Sequence, residues 1–594
     1  MRSGFIRRWN NIVGLQERTV ISTKRIIVVI AVLSAFLTLT PASAGQSERP
    51  KLVLEIIVDQ LRGDMPSMVL ERDGSGGFRY LAEKGAWYKN AHHSHANTET
   101  IVGHTTISTG AYPSRHGMVG NVWFDSKLDR LVYNIEDPDY AATGGLGARD
   151  MDAEVDSTQV SKTEGRSPRT IITTTLSDEL SLTYGSQSRI YAVSGKDRGA
   201  VAMAGHMGKA FWYSTNNGQF ASSTYYFDEF PDWVVAWNQQ KKADKYYGKH
   251  WALSKPLSTY RYAAQDDRPY ENPQDLGYGR VFPHPFGNVD NRYFYTLLMA
   301  SPVVDELTVD FSKTLIQEEK LGQDNVPDFL AISLSSTDYV GHLFGPASLE
   351  SEENLLRLDR TLDDLLTFID REIGLESTLI VLSSDHGTPE ASQYMADKGI
   401  RTGVLDLDAV DYSGMDAKLN SRFGIGKEVI RMTFHPYVYL DHNLIRQHDL
   451  NLEDVSRLVA GELSKVNGIA FAIPSIDLAN GHLPDASPIT RQVLHNYNPE
   501  RSGDIYMIYE PHWGTTFTGD VAVVNHGSPW TYDTLVPIIF AGWGIPAGKV
   551  YRRVETVDIA PTLALLLETK LPSGSVGQPL QEVLVSESAL NITQ

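Results

Sequence analysis

The sequence predicts an α/β fold built on a mostly parallel central sheet. Three apolar runs rich in β-branched residues, at 51–58, 329–334 and 378–382, are typical of strands buried on both faces of a sheet. Between the second and third runs, aliphatic residues recur from Leu355 to Ile369 at spacings of 3, 4, 3 and 4, which indicates an amphipathic helix. Strand, helix and strand in this order form a βαβ unit, so we expect helices on both faces of the sheet.

The first residues have the pattern of an export signal. Lys24 and Arg25 precede about fourteen mostly apolar residues, 26–39, and an Ala-x-Ala sequence ends at Ala44. Because this apolar stretch is short for a membrane span, we expect residues 1–44 to be cleaved as a signal peptide. The product would be periplasmic or secreted, with no stable membrane anchor. An uncleaved anchor is the alternative.

Composition excludes some functions. The formal net charge of −20 argues against nucleic-acid binding, which needs an excess of Lys and Arg. The chain has no Cys, so it has neither disulfides nor a thiolate nucleophile. Metal ligands, if present, must therefore come from His, Asp and Glu.

The first predicted strand ends at a carboxylate. Asp59 directly follows the apolar run 51–58. Ligands of open α/β sheets bind at the carboxyl ends of the strands, so this position suits a functional side chain. The alternative is that Asp59 caps the next helix. Residues 76–85 then lead to a second short strand near 87–91.

A hydroxyl and an amide follow that second strand. Thr100 precedes a small-residue pattern typical of a helix, and Asn121 lies twenty-one positions later. A hydroxyl at a helix N-terminus can face a cleft where the helix favours an anion. The alternative for Thr100 is an ordinary helix cap.

Two cations follow the strand predicted at 189–195. Lys196 and Arg198 are two residues apart, so in an extended loop they would point to the same side and could clamp phosphate oxygens. A solvated loop is the alternative.

The histidines near residue 93 are not expected to be metal ligands. His92 and His93 are adjacent, so an extended backbone points them to opposite faces, and His95 follows two residues later. Surface histidines near a cleft are commoner than ligands.

Two segments interrupt the predicted α/β order. Residues from about 205 to 298 are dense in aromatic side chains, and we expect this first insertion to pack over the core and line the substrate pocket. Residues from about 390 to 518 mix short helices and strands and form a second insertion.

Further candidate ligands follow the later strands. Asp338 and His342 are four residues apart after the strand at 329–334, so one helical turn would place both on one face. Asp385 and His386 follow the strand at 378–382, and His526 follows a strand predicted at 521–524. A last strand at 535–540 and a helix at 560–567 complete the prediction.

These positions converge on one edge of the predicted sheet. Each candidate ligand follows an apolar strand: Asp59, Asp338, His342, Asp385, His386 and His526. Six N and O ligands are enough for two tetrahedral metal sites that share a hydroxyl or a substrate oxygen.

With these motifs the chain resembles the alkaline phosphatase superfamily, in its type I phosphodiesterase/nucleotide pyrophosphatase-like branch. The motifs are Val58-Asp59, Ser384-Asp385-His386-Gly387, Asn525-His526-Gly527-Ser528 and Gln578-Pro579-Leu580. The resemblance implies an alkaline-phosphatase-like three-layer sandwich over residues 45–594.

The resemblance also implies a role for each candidate residue. Two Zn²⁺ per chain are expected. Asp59, Asp385 and His386 would hold one zinc, which contacts the Thr100 oxygen. Asp338, His342 and His526 would hold the other. Thr100 would be the nucleophile that forms a phosphothreonine intermediate, and Asn121 would donate to a phosphate oxygen.

The sequence Lys196-x-Arg198 is similar to that of the periplasmic phosphate-irrepressible alkaline phosphatases. The resemblance places Lys196 where classical alkaline phosphatases hold magnesium, so no third metal is expected. Charge counting agrees with a monoester substrate. Two Zn²⁺, three Asp and a Thr100 alkoxide sum to zero, so Lys196 and Arg198 supply the charge that meets a phosphate dianion.

We therefore expect a zinc-dependent alkaline phosphatase that hydrolyses small phosphate monoesters. The alternative enzyme is a phosphodiesterase or nucleotide pyrophosphatase with the same metals. A rival of another class is a non-catalytic phosphate- or metal-binding protein, which would need the ligands but not Thr100.

Overall fold

A computed structural model describes residues 49–584, apart from 73, 75, 145–156, 272–275, 408–409, 483–486 and 517–522. The predicted signal peptide, 1–44, lies outside the described residues. Within them, no helix combines the length and apolar character needed to cross a membrane.

The strands, in chain order, are β1 (Leu52–Val58), β2 (Ala86–His92), β3 (Val122–Asp125), β4 (Arg130–Tyr133), β5 (Ala142–Thr143), β6 (Ile190–Ser194), β7 (Lys209–Tyr213), β8 (Phe220–Ser223), β9 (His250–Trp251), β10 (His284–Pro285), β11 (Asp328–Leu334), β12 (Thr378–Ser383), β13 (Val404–Asp406), β14 (Ile430–Phe434), β15 (Tyr437–Leu440), β16 (Ile469–Pro474), β17 (Ile505–Tyr509), β18 (Gly514–Thr516), β19 (Leu535–Gly542), β20 (Gly548–Val550) and β21 (Val554–Glu555).

The α-helices are α1 (Met65–Arg72), α2 (Gly77–Lys84), α3 (Thr100–Thr109), α4 (Pro113–His116), α5 (Leu176–Tyr184), α6 (Asp197–Ala204), α7 (Asp232–Gln239), α8 (Phe294–Met299), α9 (Val303–Glu318), α10 (Ser336–Phe344), α11 (Leu349–Glu372), α12 (Ser392–Asp397), α13 (Ser413–Phe423), α14 (His442–Gln447), α15 (Leu452–Leu463), α16 (Ser475–Ala479), α17 (Pro488–Asn496), α18 (Thr531–Thr534) and α19 (Ile559–Leu566).

The central sheet confirms the predicted α/β fold. Its strand order is β20-β2-β19-β12-β1-β11-β6-β7-β8-β5, and β21 pairs with β2. The middle strands β12, β1, β11, β6 and β7 are parallel, whereas β19 pairs antiparallel with both β12 and β2. All residues of β1, β11 and β12 are buried, as their continuous apolar sequences predict.

Strand register brings the carboxyl ends of four strands to one level. Val58 of β1 pairs with Leu334 of β11, and Ser333 pairs with Ser194 of β6. On the other side, Ile57 pairs with Ser383 of β12. The residues that follow these four strands therefore start at the same edge of the sheet.

Three sequence predictions about local structure were wrong. The cations at 196 and 198 do not share an extended loop, because α6 begins at Asp197. Residues 209–213 and 220–223 are strands β7 and β8 of the central sheet, so the start of the first predicted insertion extends the sheet instead of packing over it. Val523 and Val524 are not in a strand, while 521 and 522 lie outside the described part of the chain.

The range of the second predicted insertion contains its own small sheet and core. Strands β14, β15, β17 and β16 form an antiparallel sheet in that order. Helices α13 and α15 contribute Leu419 and Val455 to a separate hydrophobic cluster with Ile505 of β17. The boundaries of both insertions stay a prediction.

Candidate metal centre and active site

The three candidate carboxylates meet where the parallel strands end. Asp59 follows β1, Asp385 lies two residues beyond the end of β12, and Asp338 stands in the first turn of α10, just after β11. All three side chains are buried. Because β11 and β12 flank β1 in register, these short connections are enough to bring the carboxylates together.

One ligand cluster consists of Asp338, His342 and His526, whose ligand atoms lie within 4.8 Å of one another. Asp338 Oδ1 is 3.2 Å from His342 Nε2 and 3.5 Å from His526 Nε2. The predicted helical face is confirmed, because Asp338 and His342 are one turn apart on α10.

Backbone carbonyls orient both imidazoles of this cluster. His342 Nδ1 donates to the Val524 carbonyl at 2.6 Å, and His526 Nδ1 donates to the Thr98 carbonyl at 2.8 Å. With the proton on Nδ1, each Nε2 directs its lone pair toward Asp338. This is the usual way in which a protein fixes the tautomer of a metal-binding histidine.

A second cluster consists of Asp59, Asp338 and His386. His386 Nε2 lies 3.3 Å from Asp59 Oδ1 and 3.4 Å from Asp385 Oδ2, and its Nδ1 donates to the Gly387 carbonyl at 2.9 Å. Asp338 thus contributes to both clusters, and Asp385 lies beside the second one.

The buried atoms in this centre fit a cation. Asp59 Oδ1, Asp385 Oδ2 and His386 Nε2 are buried, and none of them makes a regular hydrogen bond within the described part of the chain. Buried polar atoms without partners are costly, and convergent N and O lone pairs are what a divalent ion such as zinc requires. The residues present therefore fit the implied metal.

Electrostatics favour the ionised form of Asp59 and Asp338, whereas burial and then Asp59 raise the pKa of Asp385. Burial and Asp338 raise the pKa of Asp59, but Lys196 and His386 outweigh them, so its pKa falls well below the usual range. Burial likewise opposes ionisation of Asp338, and Lys196 and His342 hold its pKa low. Burial and then His386 lower the pKa of His526 to about 3, which keeps that ring neutral and able to ligate.

Lys196 points into the carboxylates. Its Nζ lies 2.6 Å from Asp59 Oδ2 and 2.5 Å from Asp338 Oδ2. Lys196 immediately precedes α6, which directs the side chain to the end of β1. The structure therefore brings Lys196 into the centre, in contact with two of the candidate ligands.

Thr100, Arg198 and Asn121 adjoin the same centre. Thr100 is the first residue of α3 and is buried, and Arg198 Nη2 donates to Thr100 Oγ1 at 3.5 Å. Asn121 Oδ1 accepts from the Ile101 N–H at 3.1 Å, which fixes the orientation of its amide next to the start of α3. All ten predicted site residues thus lie in one region.

Sequence reasoning missed several residues that support the centre. His104 Nδ1 donates to the Thr100 carbonyl at 2.8 Å and lies 3.2 Å from Asp385 Oδ2. Asp197 holds the start of α6 through Arg166 Nε at 2.7 Å and Tyr133 OH at 2.5 Å. Apart from the Thr100 carbonyl, their partners are distant in sequence, so no local pattern identifies the roles of His104 and Asp197.

The histidines near residue 93 are not at the surface, contrary to the sequence prediction. His92, His93 and His95 are all buried. His93 Nε2 donates to the Ser384 carbonyl at 3.0 Å, and its Nδ1 lies 2.9 Å from Thr556 Oγ1. His93 thus supports the loop that carries Asp385 and His386.

A cleft opens beside the first cluster. His342, His526 and Asn121 line it, together with aromatic residues such as Tyr509 and Trp513. None of its described lining residues belongs to the aromatic segment 205–298, so the prediction that this segment lines the pocket was wrong for this cleft. Tyr509 and Trp513 belong to the range of the second predicted insertion, whereas the lining residues Trp530 and Tyr532 lie beyond it.

The parallel sheet, the carboxylate–histidine centre at its carboxyl edge and a hydroxyl at a helix start together define a class, the metal-dependent α/β hydrolases. Residues 53–529 match the type I phosphodiesterase / nucleotide pyrophosphatase family, and the chain belongs to this family of the alkaline phosphatase superfamily. The predicted resemblance is confirmed.

Relatives match over nearly the whole chain. A protein of Myroides odoratus named calcium-transporting ATPase is 33% identical over 561 residues, which are 94% of this chain and 98% of that protein. Alkaline phosphatase PhoV of Synechococcus elongatus is 34% identical over 544 residues, 90% of this chain and 93% of PhoV. The crystal structure of wild-type alkaline phosphatase PafA matches with a TM-score of 0.80 and 33% identity, over 90% of this chain and 99% of that chain.

Proposed function

We propose that this protein is an alkaline phosphatase that hydrolyses phosphate monoesters through a phosphothreonine intermediate. The observation that carries the proposal is the contact of Arg198 with the Thr100 hydroxyl, beside the carboxylate–histidine centre. The names of the relatives PhoV and PafA support a phosphatase. The name of the Myroides odoratus relative refers to calcium transport, for which the centre described above offers no positive support.

The centre is proposed to hold two zinc ions. Asp59, Thr100, Asp385 and His386 would hold one ion, and Asp338, His342 and His526 the other. Bound zinc supplies Lewis-acid stabilisation of phosphoryl oxygens and favours the deprotonated hydroxyl. The unpartnered buried atoms of Asp59, Asp385 and His386 support this assignment.

Thr100 is proposed to be the nucleophile. Its Oγ1 forms a bond to phosphorus while the bond from phosphorus to the ester oxygen breaks, and the departing alcohol takes a proton from solvent. A water molecule then attacks the phosphothreonine, which releases inorganic phosphate and restores the hydroxyl. The N-terminus of α3 favours the negative charge on the transferred group.

Arg198, Asn121 and Lys196 are proposed to bind the phosphoryl oxygens. Arg198 offers a planar set of donors beside Thr100, and Asn121 offers its amide nitrogen. Lys196 contributes positive charge next to Asp59 and Asp338. A monoester dianion gains more from these cations than a diester with its single charge, which favours the monoesterase over the phosphodiesterase alternative.

Export is proposed as well. The pattern through Ala44 supports cleavage there and a periplasmic or secreted product. The intact mass of the mature protein tests this, because a membrane fraction that retains Met1 would contradict it.

A comparison of two substrates tests the activity. We expect a larger kcat/KM for an aryl phosphate monoester than for the matching methyl aryl diester, in a preparation containing about two zinc ions per chain. Thr100→Ala should abolish turnover, whereas Thr100→Ser, which keeps a hydroxyl, should retain part of it. A preference for the diester would favour the phosphodiesterase, and unchanged activity in Thr100→Ala would refute the proposed nucleophile.

A further inference from the structure

Gln60 stands between the two halves of the centre in an unusual backbone conformation. It directly follows Asp59, its side chain is buried, and its φ is +67°. A positive φ is unfavourable for a residue with a side chain and persists only where surrounding contacts hold it. The contacts of Gln60 therefore need an explanation.

Two donors of Gln60 reach two different carboxylates. Its side-chain Nε2 donates to Asp338 Oδ1 at 2.8 Å. Its backbone N–H donates to Asp385 Oδ1 at 3.2 Å. In the proposed zinc assignment these two carboxylates bind different zinc ions. Gln60 therefore contacts one ligand of each ion, and it is also the neighbour in sequence of a third ligand, Asp59.

The helix that carries Asp338 is adapted to the Gln60 amide. A Cβ placed on Gly341 of α10 would lie 1.8 Å from Gln60 Oε1. A glycine at 341, one residue before His342, therefore makes room for the amide. The missing side chain at Gly341 and the left-handed backbone of Gln60 both allow the Gln60 amide to reach Asp338.

Lys196 also links two of these carboxylates, but in a different way. It contacts Asp59 and Asp338 by charge, and no contact with Asp385 occurs among the described residues. Gln60 is uncharged and is hydrogen-bonded to both Asp338 and Asp385. Its hydrogen bond to Asp385 uses Oδ1, which leaves Oδ2 facing His386 Nε2 at 3.4 Å.

We propose that Gln60 is a positioning residue that couples the two proposed zinc sites. A change at the site of Asp338, His342 and His526, the Asp338 subsite, would then alter zinc affinity at the site of Asp59, Asp385 and His386, the Asp385 subsite. This inference rests on the proposed two-zinc centre. The physical reason is that the Asp338 bond helps hold the strained backbone of Gln60, and that backbone in turn holds Asp385.

Zinc affinity in a half-site background tests the coupling. His342→Ala disables the Asp338 subsite, so the remaining zinc would be held by Asp59, Asp385 and His386. In this background Gln60→Met removes only the bond to Asp338, because the backbone N–H that Asp385 accepts remains. We expect the affinity of the remaining zinc, measured by competition with a chromogenic chelator, to fall roughly tenfold.

Two further variants make the result specific. Gln240→Met in the same background changes an exposed glutamine far along the chain and should leave zinc affinity unchanged. Gln60→Gly removes the same side-chain bond but adopts a positive φ without strain and keeps the backbone N–H, so it should fold as well as its parent and keep most of the zinc affinity that Gln60→Met loses. Circular dichroism and melting of the metal-free proteins check folding.

The outcomes separate this inference from the proposed function. Equal zinc affinity in Gln60→Met and Gln240→Met would overturn the coupling, as would an equal loss of affinity in Gln60→Gly and Gln60→Met, while phosphatase activity of the wild type would stand. Zinc binding that is weakened in Gln60→Met and largely retained in Gln60→Gly, with a wild type that hydrolyses no phosphate ester, would support the coupling and refute the phosphatase.

Discussion

Gly103 of α3 lies against the backbone of Asp385 so closely that a Cβ at position 103 would come within 1.9 Å of the Asp385 carbonyl oxygen. Gly103 stands one turn after Thr100 on α3. The absence of a side chain at 103 therefore sets the distance between the proposed nucleophile and the loop that carries Asp385 and His386.

Gly103→Ala should reduce phosphatase activity strongly. The added methyl group meets backbone that cannot rotate away, so α3 must shift and carry Thr100 with it. A displacement of about 1 Å in an active site can cost about a hundredfold in rate. The measurement is kcat/KM for an aryl phosphate, with zinc content determined on the same sample.

Gly461→Ala is the matched control. Gly461 is also inside a helix, α15, but a Cβ there meets nothing within 4 Å. Alanine should therefore raise stability by about 0.5–1 kcal/mol and leave kcat/KM unchanged. Full activity in Gly103→Ala would show that α3 can move without disturbing the reaction.

The sequence was sufficient to predict which residues gather at the sheet edge. Continuous apolar runs identify β1, β11 and β12, and a residue directly after such a run must lie at the strand's carboxyl end. The spacing of four between Asp338 and His342 is enough to place them on one helical face, as the structure has them. Both features depend on residues that are close together in the sequence, so a sequence pattern is enough to predict them.

Long-range contacts could not be predicted in the same way. The direction of the Lys196 side chain depends on where α6 begins, and the sequence prediction of an extended loop missed that start. Gln60 and Gly341 meet only because β1 and β11 are neighbours, so neither residue carries a signal of its own. The strand expected at 521–524 was wrong at 523 and 524, although His526 still reaches Asp338.

Metal removal should lower both activity and thermal stability. The proposed zinc ions would bind the folded chain and stabilise it by mass action, by about 2.7 kcal/mol for one site at a free concentration of a hundred times its Kd. A strong chelator should therefore lower the melting temperature and abolish turnover, and added zinc should restore both. Full turnover after metal analysis shows no zinc would contradict the two-metal assignment.

The ion pair between His206 and Asp178 should make stability depend on pH. His206 Nδ1 lies 2.9 Å from Asp178 Oδ2, and the hydrogen bond to Asp178 raises the pKa of His206 despite partial burial. A raised pKa means that this stabilisation is fully present below the unfolded-state pKa of about 6.5 and is lost as pH rises through the folded-state pKa.

His206→Gln should therefore destabilise the protein more at pH 5.5 than at pH 9. Urea unfolding at the two pH values measures the difference. Asp178 also caps α5 and accepts the backbone N–H groups of residues 206 and 207, and the variant keeps these contacts. An equal loss of stability at both pH values would show that the charge on His206 contributes nothing.

Removal of the two cations should change substrate preference. In the double variant Lys196→Ala/Arg198→Ala, the monoester loses two charge-assisted contacts of roughly 1.5–3 kcal/mol each, so its kcat/KM should fall by orders of magnitude. Diester hydrolysis should fall much less, because its single charge depends less on these cations. Parallel assays of an aryl phosphate and its methyl ester measure the shift.

The single variant Arg198→Ala separates phosphate binding from support of the metal ligands. Lys196 contacts Asp59 and Asp338, so its removal also takes a counter-charge from two buried carboxylates and can change zinc content. Arg198 contacts Thr100 and neither of those carboxylates within the described ion pairs. Arg198→Ala should therefore keep both zinc ions and still lose roughly ten- to a hundredfold in monoester kcat/KM, with a smaller loss for the diester. The monoester and diester rates could instead drop by the same factor while zinc is retained. Arg198 would then position Thr100 without binding the extra negative charge of a monoester. The charge argument for a phosphomonoesterase would be lost.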